Sequence, residues 1–186
     1  MKRFVLVVVV LAIAAFAVWI VATDRAAPVG HVPDPGTEEP AAGSGSGIVV
    51  AVPADAEPMV VVSIHDGDTL NLRDGTGATE TVRIIGVDTP EVYPEYECFG
   101  DEATDELNRL APVGSTLRVT VDDDAFDDYD RLLLYLWNDQ GVFINLALVE
   151  GGFAEAIRVA PNDAYYDELR AAEDSAAHDG LGMWSC

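Results

Sequence analysis

Three short blocks of this 186-residue chain carry side chains able to act on a phosphate: Asp66-Gly67-Asp68-Thr69, then Arg83 with Asp88-Thr89-Pro90-Glu91, then Tyr129-Asp130-Arg131. Carboxylates suit a hard divalent cation, and guanidiniums keep their charge at any working pH. Together they make a set for breaking a phosphodiester. A cation would polarise the phosphate, arginines would hold its developing charge, and a carboxylate would stand near the attacking water. Each block alone has a plainer reading. Asp66 can cap an ordinary Asp-Gly hairpin turn. Asp88 or Thr89 with Glu91 can cap a helical turn. Each arginine alone reads as an ion pair with nearby acids. Their order, their spacing and their place at strand ends favour the chemical reading.

Those blocks need elements to position them. Met59–Ile64 is a β-branched run, and Thr69–Leu72 alternates after the Asp-Gly turn, so the two pair as a hairpin. Arg73-Asp74-Gly75-Thr76-Gly77 turns the chain, and Glu80–Val87 reads as a third strand. Arg83 and Asp88 are five residues apart, which puts them on opposite faces of a regular strand. A bulge at Gly86 would return both to one side. A helix follows with Ala103, Leu107 and Leu110 on one face. Leu117–Val121 and Leu132–Trp137 are further strands, Ile144–Glu150 a short helix, and Phe153–Val159 extended. The last helix is expected from Asn162 or Asp163 to about His178, stopped by Gly180. This order predicts an α+β, mainly β fold: a five-stranded OB-fold-like Greek-key barrel with about three flanking helices.

Ahead of it, residues 1–23 read as a signal peptide or membrane anchor. Lys2 and Arg3 precede an uncharged run of 20 residues from Phe4 to Thr23, and Ala15-Phe16-Ala17 offers a small-x-small cleavage site. Either reading exports the rest of the chain. The location expected is extracellular, secreted or tethered to the outer face of the cell membrane. Residues 24–58, rich in Pro, Gly, Ala and acids around Gly43-Ser44-Gly45-Ser46-Gly47, read as a flexible linker, and residues 59–186 as the folded domain.

The formal net charge is −23. From Met59 onward there are 27 acids against seven bases, all arginine, and the sole lysine of the chain is Lys2. An acidic, lysine-poor surface is what solubility in concentrated salt demands, so a halophilic source is expected. In molar salt the Debye length is about 3 Å, so local arginines outweigh distant acids and a nucleic-acid substrate is not excluded. The two cysteines, Cys98 and Cys186, read in an exported chain as a disulfide that closes a long loop and stabilises by ~4 kcal/mol. Two free thiols are the alternative where the chain is not exported. Two cysteines do not make a structural zinc site. His31, His65 and His178 share no ligand spacing, and Asp122–Asp130 lacks the glycine and terminal glutamate of an EF-hand loop. That run reads as a solvated acidic loop.

Taken together, these blocks resemble the staphylococcal-nuclease-like (thermonuclease) family over about Val60 to Trp184. Phe99-Gly100, Glu102-Ala103, Asn145, Ala147-Leu148-Val149, Gly152 and Trp184-Ser185 agree as well. The resemblance implies a Ca²⁺-dependent, sugar-nonspecific nuclease that cuts single-stranded DNA and RNA at the 5′ P–O bond and leaves a 3′-phosphate. It implies Asp68 and Asp88 as Ca²⁺ ligands with the Thr89 carbonyl. Arg83 and Arg131 would clamp the phosphate, and Glu91 would act as general base. Tyr129 and Arg158 are the expected substrate-binding residues, and the protein is expected to be a monomer. The chain departs from the family pattern in two places. Asp130 stands where the family has glycine, and Glu155–Pro161 lacks the tyrosines that stack a terminal nucleotide. Two other classes share the barrel: a catalytically silent nucleic-acid- or partner-binding module, and a surface calcium-binding domain. The two arginines distinguish them, because a pure calcium site has no use for two guanidiniums.

Overall fold

The structure is a computed structural model, and it describes residues 48–94 and 96–186. The expected leader at residues 1–23 and the linker up to residue 47 lie outside the described residues. Among the described residues no helix is long and apolar enough to cross a membrane.

Five strands close into a barrel in the order β1-β2-β3-β6-β5. They are β1 (Glu57–Ile64), β2 (Thr69–Arg73), β3 (Thr79–Ile84), β5 (Thr116–Thr120) and β6 (Leu132–Trp137). All pairs are antiparallel except β3 with β6. The inward residues alternate with outward ones, as the two-residue period of a strand requires. Val61, Leu70, Leu72, Val82, Ile84, Leu117, Leu134 and Leu136 fill the interior. A two-stranded sheet of β4 (Val87–Asp88) and β7 (Glu155–Ala156) stands apart. Three helices flank the barrel: α1 (Gly100–Leu110), α2 (Ile144–Glu150) and α3 (Tyr166–Asp179). Helix α1 buries Ala103, Leu107 and Leu110, the face its periodicity predicts. The five-stranded barrel with three helices is the α+β architecture expected from the sequence.

Helix α3 begins at Tyr166, after the expected Asn162 or Asp163, and of the expected extended Phe153–Val159 only Glu155–Ala156 forms a strand; two further boundaries also differ. The third strand does not run on to Val87 through a bulge. It stops at Ile84, Gly86 takes φ 77°, and the chain restarts as β4. A side chain at Gly86 would also collide with Leu169, since a Cβ there would lie 2.7 Å from its Cδ1. At the N-terminal end, packing begins before Met59. Ala56 is buried, and the Trp137 indole donates to the Val50 carbonyl at 3.2 Å. Of the apolar Ile48–Val52 run, Val50 packs against the core.

Candidate active site

The first turn of the site follows from Asp-Gly chemistry. The Asp68 amide donates to Asp66 Oδ1 at 3.1 Å, so Asp66 caps the turn between β1 and β2. That turn sends Asp68 inward, where its side chain is only 9% exposed. Asp68 Oδ1 accepts from the Thr69 hydroxyl at 3.0 Å. Oδ2 accepts from the Thr89 amide at 3.1 Å and the Thr89 hydroxyl at 3.2 Å. Burial pushes the Asp68 carboxyl up to about 6 against the opposing pull of Arg83, with the Asp66 charge adding to the rise. A carboxylate so short of water is stabilised by a nearby cation.

Arg83 is that cation. Thr69 on β2 pairs with Arg83 on β3, which brings the guanidinium beside Asp68. Its terminal nitrogens donate to Ile84 O at 2.9 Å, Val87 O at 2.7 Å and Asp88 Oδ1 at 2.8 Å, with Asp68 Oδ2 at 3.0 Å. The break at Gly86 accounts for this geometry, because it turns Asp88 back onto the side of β3 that carries Arg83. One guanidinium nitrogen thus joins Asp68 and Asp88, whose oxygens converge on a common point. Hard oxygen donors of this kind suit Ca²⁺ or Mg²⁺. Among the described residues no three His, Cys, Asp or Glu side chains form a metal-holding group. A cation here would take two carboxylates, a backbone carbonyl such as that of Thr89, and solvent.

Arg131 reaches the same region through the parallel pair. Leu133 lies across from Arg83, and Arg131, two residues earlier, shares the strand face of Leu133. Arg83, Arg131, Tyr129, Leu133, Ile157 and Val159 all line one cavity of about 260 Å³. Arg83 therefore belongs both to the carboxylate cluster and to this cavity. Tyr129 is 81% exposed, and its ring centroid lies 5.5 Å from the Arg131 guanidinium carbon. Arg158 is not brought to the cavity. Ile157 and Val159 line it, whereas Arg158 between them pairs with Asp163 at 2.6 Å and lies over the Tyr166 ring. Glu91 is exposed on the loop after Thr89. Its amide donates to Glu97 Oε2 at 2.9 Å and its carbonyl accepts from the Glu97 amide at 2.8 Å.

A comparison with known proteins agrees with this geometry. The model of the family described as staphylococcal nuclease homologue matches residues 81–186. The chain belongs to the staphylococcal nuclease family. The thermonucleases of Staphylococcus intermedius and Staphylococcus hyicus are 34% and 33% identical over 131 and 135 residues. Those matches span 69% and 71% of this chain and 76% and 78% of the relatives. Endonuclease YhcR of Bacillus subtilis (strain 168) is 32% identical over 136 residues, covering 68% of this chain but only 11% of that much longer protein. The chain is thus of the nuclease class of enzyme.

Against that family, the two departures are now explained or located. Asp130 has φ 59°, so it fills a left-handed position that glycine adopts freely. It does not pair with Arg131. Asp127 does: its Oδ1 accepts from the amides of Tyr129 and Arg131, both at 2.9 Å, and its Oδ2 accepts from Arg131 Nε at 2.7 Å. The acidic loop is largely exposed, as expected, and is also tied down at Asp122, Asp124 and Asp127. Asp122 Oδ2 accepts from the Tyr135 hydroxyl at 3.0 Å and the Ala164 amide at 3.2 Å, and buried Asn162 exchanges two bonds with the Asp124 backbone. Sequence reasoning missed these holders because one run of six aspartates gives no sign of which are consumed by backbone amides. The one available cue was an acid four residues before an arginine that opens an apolar strand.

Proposed function

We propose that this chain is a Ca²⁺-dependent, sugar-nonspecific nuclease that hydrolyses single-stranded DNA and RNA at the 5′ P–O bond and acts outside the cell. The observation that carries this reading is Arg83: one guanidinium shared between a convergent carboxylate pair and a cavity that also holds Arg131. Arg83 and Arg131 grip the phosphate and stabilise the charge that builds on its oxygens as the attacking water adds. Glu91 takes the proton of that water, the water oxygen bonds to phosphorus, and the bond to the 5′ oxygen breaks. That oxygen takes a proton from solvent and leaves as a 5′-hydroxyl, and the other fragment keeps a 3′-phosphate. Asp68, Asp88 and the Thr89 carbonyl would hold Ca²⁺, which when bound would polarise the phosphate electrostatically. The Cys98–Cys186 disulfide supports action in an oxidising compartment.

The test is degradation of single-stranded DNA and RNA in molar KCl with Ca²⁺ and then with chelator, beside Arg131→Ala. Cutting that needs Ca²⁺ and falls by about 100-fold or more in the variant is expected. A folded protein that binds nucleic acid and never cuts it is a binding module instead.

A further inference from the structure

The segment that carries Glu91 is held at the surface, by its own hydrogen bonds and by contact with Gly100 at the start of α1. From Glu91 to Cys98 no described residue is buried, so the core does not anchor it. Helix α1, which follows, starts without a side-chain cap: Phe99 stands at its N-cap position with φ 77°. The reciprocal pair between the Glu91 backbone and Glu97 closes the segment, and the Gly100 amide and Tyr96 hydroxyl join it to α1 through Glu97 O at 3.3 Å and Asp101 Oδ2 at 3.2 Å. Next to Glu97 in the chain is Cys98, bonded to Cys186. Cys186 follows a 3₁₀ turn (Gly182–Ser185) that is itself firmly seated, because the Met183 amide donates to Gly152 O at 2.9 Å. Backbone packs against backbone there: a Cβ on Gly182 would lie 2.2 Å from that same oxygen. The C-terminal turn, seated on Gly152, is therefore linked covalently to the outer stem of the Glu91 loop.

The geometry points to Cys98 and Cys186 as positioning residues for Glu91, so that hydrolysis depends on their disulfide. This rests on the nuclease reading above and on the role of Glu91 within it. Breaking the bond removes the tether beside Glu97, the Glu91–Glu97 pair opens more often, and the carboxylate spends less time in line with the attacking water. A displacement of about 1 Å is enough to lower a rate by as much as ~100-fold. Phosphate binding is affected far less, because Asp68, Arg83 and Arg131 are held by the barrel and by Asp127. Both cysteines are exposed, so a dithiol reductant can reach them. One thiolate of the reductant attacks a sulfur of the bond, and its second thiolate then displaces the protein sulfur. The reductant ends as a cyclic disulfide, and Cys98 and Cys186 each gain one electron and one proton. The consequence is an enzyme that works in oxidising surroundings and idles in reducing ones.

The experiment compares oxidised protein, protein reduced with dithiothreitol, and the Cys98→Ser/Cys186→Ser variant, all below the onset of unfolding of each. Steady-state hydrolysis and amide hydrogen exchange are both read. The expected result is a kcat at least about tenfold lower in the latter two, with KM within about twofold. Faster exchange at the Glu91 and Glu97 amides, and recovery of the reduced sample on reoxidation, should accompany it. Dithiothreitol should leave the double variant unchanged, and reduction of Glu91→Gln should cost nothing further, since both act through one group. Equal kcat in oxidised and reduced protein, or a further loss on reducing Glu91→Gln, overturns the inference. Inactivity of the oxidised protein itself overturns the nuclease reading instead.

Discussion

Arg131 is a charge that must be aimed, and Asp127 aims it. Three hydrogen bonds join the Asp127 carboxylate to the Tyr129 and Arg131 segment, and those to Arg131 engage its backbone and Nε. Burial raises the Asp127 carboxyl, but the amides of Arg131 and Tyr129 and the guanidinium outweigh it and leave it below its ordinary 3.8. A folded value below the unfolded one means stabilisation that is present above pH 3.8 and lost as pH falls through the folded value. Asp127→Ala is expected to reduce unfolding free energy by about 1–2 kcal/mol near neutral pH and to weaken hydrolysis by freeing Arg131. The gap between wild type and variant, followed by urea unfolding, should narrow as pH drops below about 4. A gap that stays constant down to pH 2 would place the stabilisation elsewhere.

At the scale of elements, the break between β3 and β4 decides whether a site exists. A regular strand through residues 83 to 88 would set Arg83 and Asp88 on opposite faces. The left-handed turn at Gly86 reverses that, and the Ile157 amide bonds to the Gly86 carbonyl at 3.0 Å where the chain turns. Gly86→Ala meets two obstacles, a positive φ and the Leu169 side chain. It should destabilise the fold by about 1–3 kcal/mol and loosen the Arg83–Asp88 pair. Gly75→Ala makes the comparison, since a Cβ there meets nothing within 4 Å and φ is not positive. That change should leave thermal unfolding nearly unmoved. Similar losses at both positions would show that chain entropy, and not the turn, sets the cost.

For the whole molecule, charge is the dominant fact. A net −23 on a chain with ten basic residues means self-repulsion in dilute buffer and repulsion of a polyanionic substrate. Among the described residues Arg83, Arg109, Arg131, Arg158 and Arg170 are in ion pairs with neighbouring acids, which leaves Arg73 and Arg118 there to attract a strand from a distance. Raising KCl from about 0.01 M to about 1 M shortens the Debye length from about 30 Å to about 3 Å. The unfolding midpoint should rise and KM for single-stranded DNA should fall over that range, as read by calorimetry and steady-state kinetics. This is the reverse of a basic nucleic-acid-binding protein, whose affinity falls steeply with salt. A KM that climbs with salt would mean that arginines outside the site provide most of the attraction.

Much of this protein was legible in the order of its residues. Alternation in Thr69–Leu72 and Leu117–Val121, the apolar run Leu132–Trp137 and the Ala103-Leu107-Leu110 face state their own local geometry, because side-chain burial follows a period of two or of 3.6 or fills a buried strand on both faces. The reactive blocks were visible too, because few arrangements of Asp, Arg and Glu suit a phosphate. Other features had no local signal. Which aspartate of Asp122–Asp130 holds Arg131 depends on backbone amides placed by the turn at Asp130. Whether Arg158 faces the cavity depends on Asp163 and Tyr166, brought beside it by the folded chain. The value near 6 at Asp68 arises because strands β2 and β3, brought together by the fold, strip its water and supply Arg83 in exchange. Residue type and spacing determine which groups are available and what chemistry they can do. Desolvation, partner choice and direction are long-range quantities, and only the closed barrel settles them.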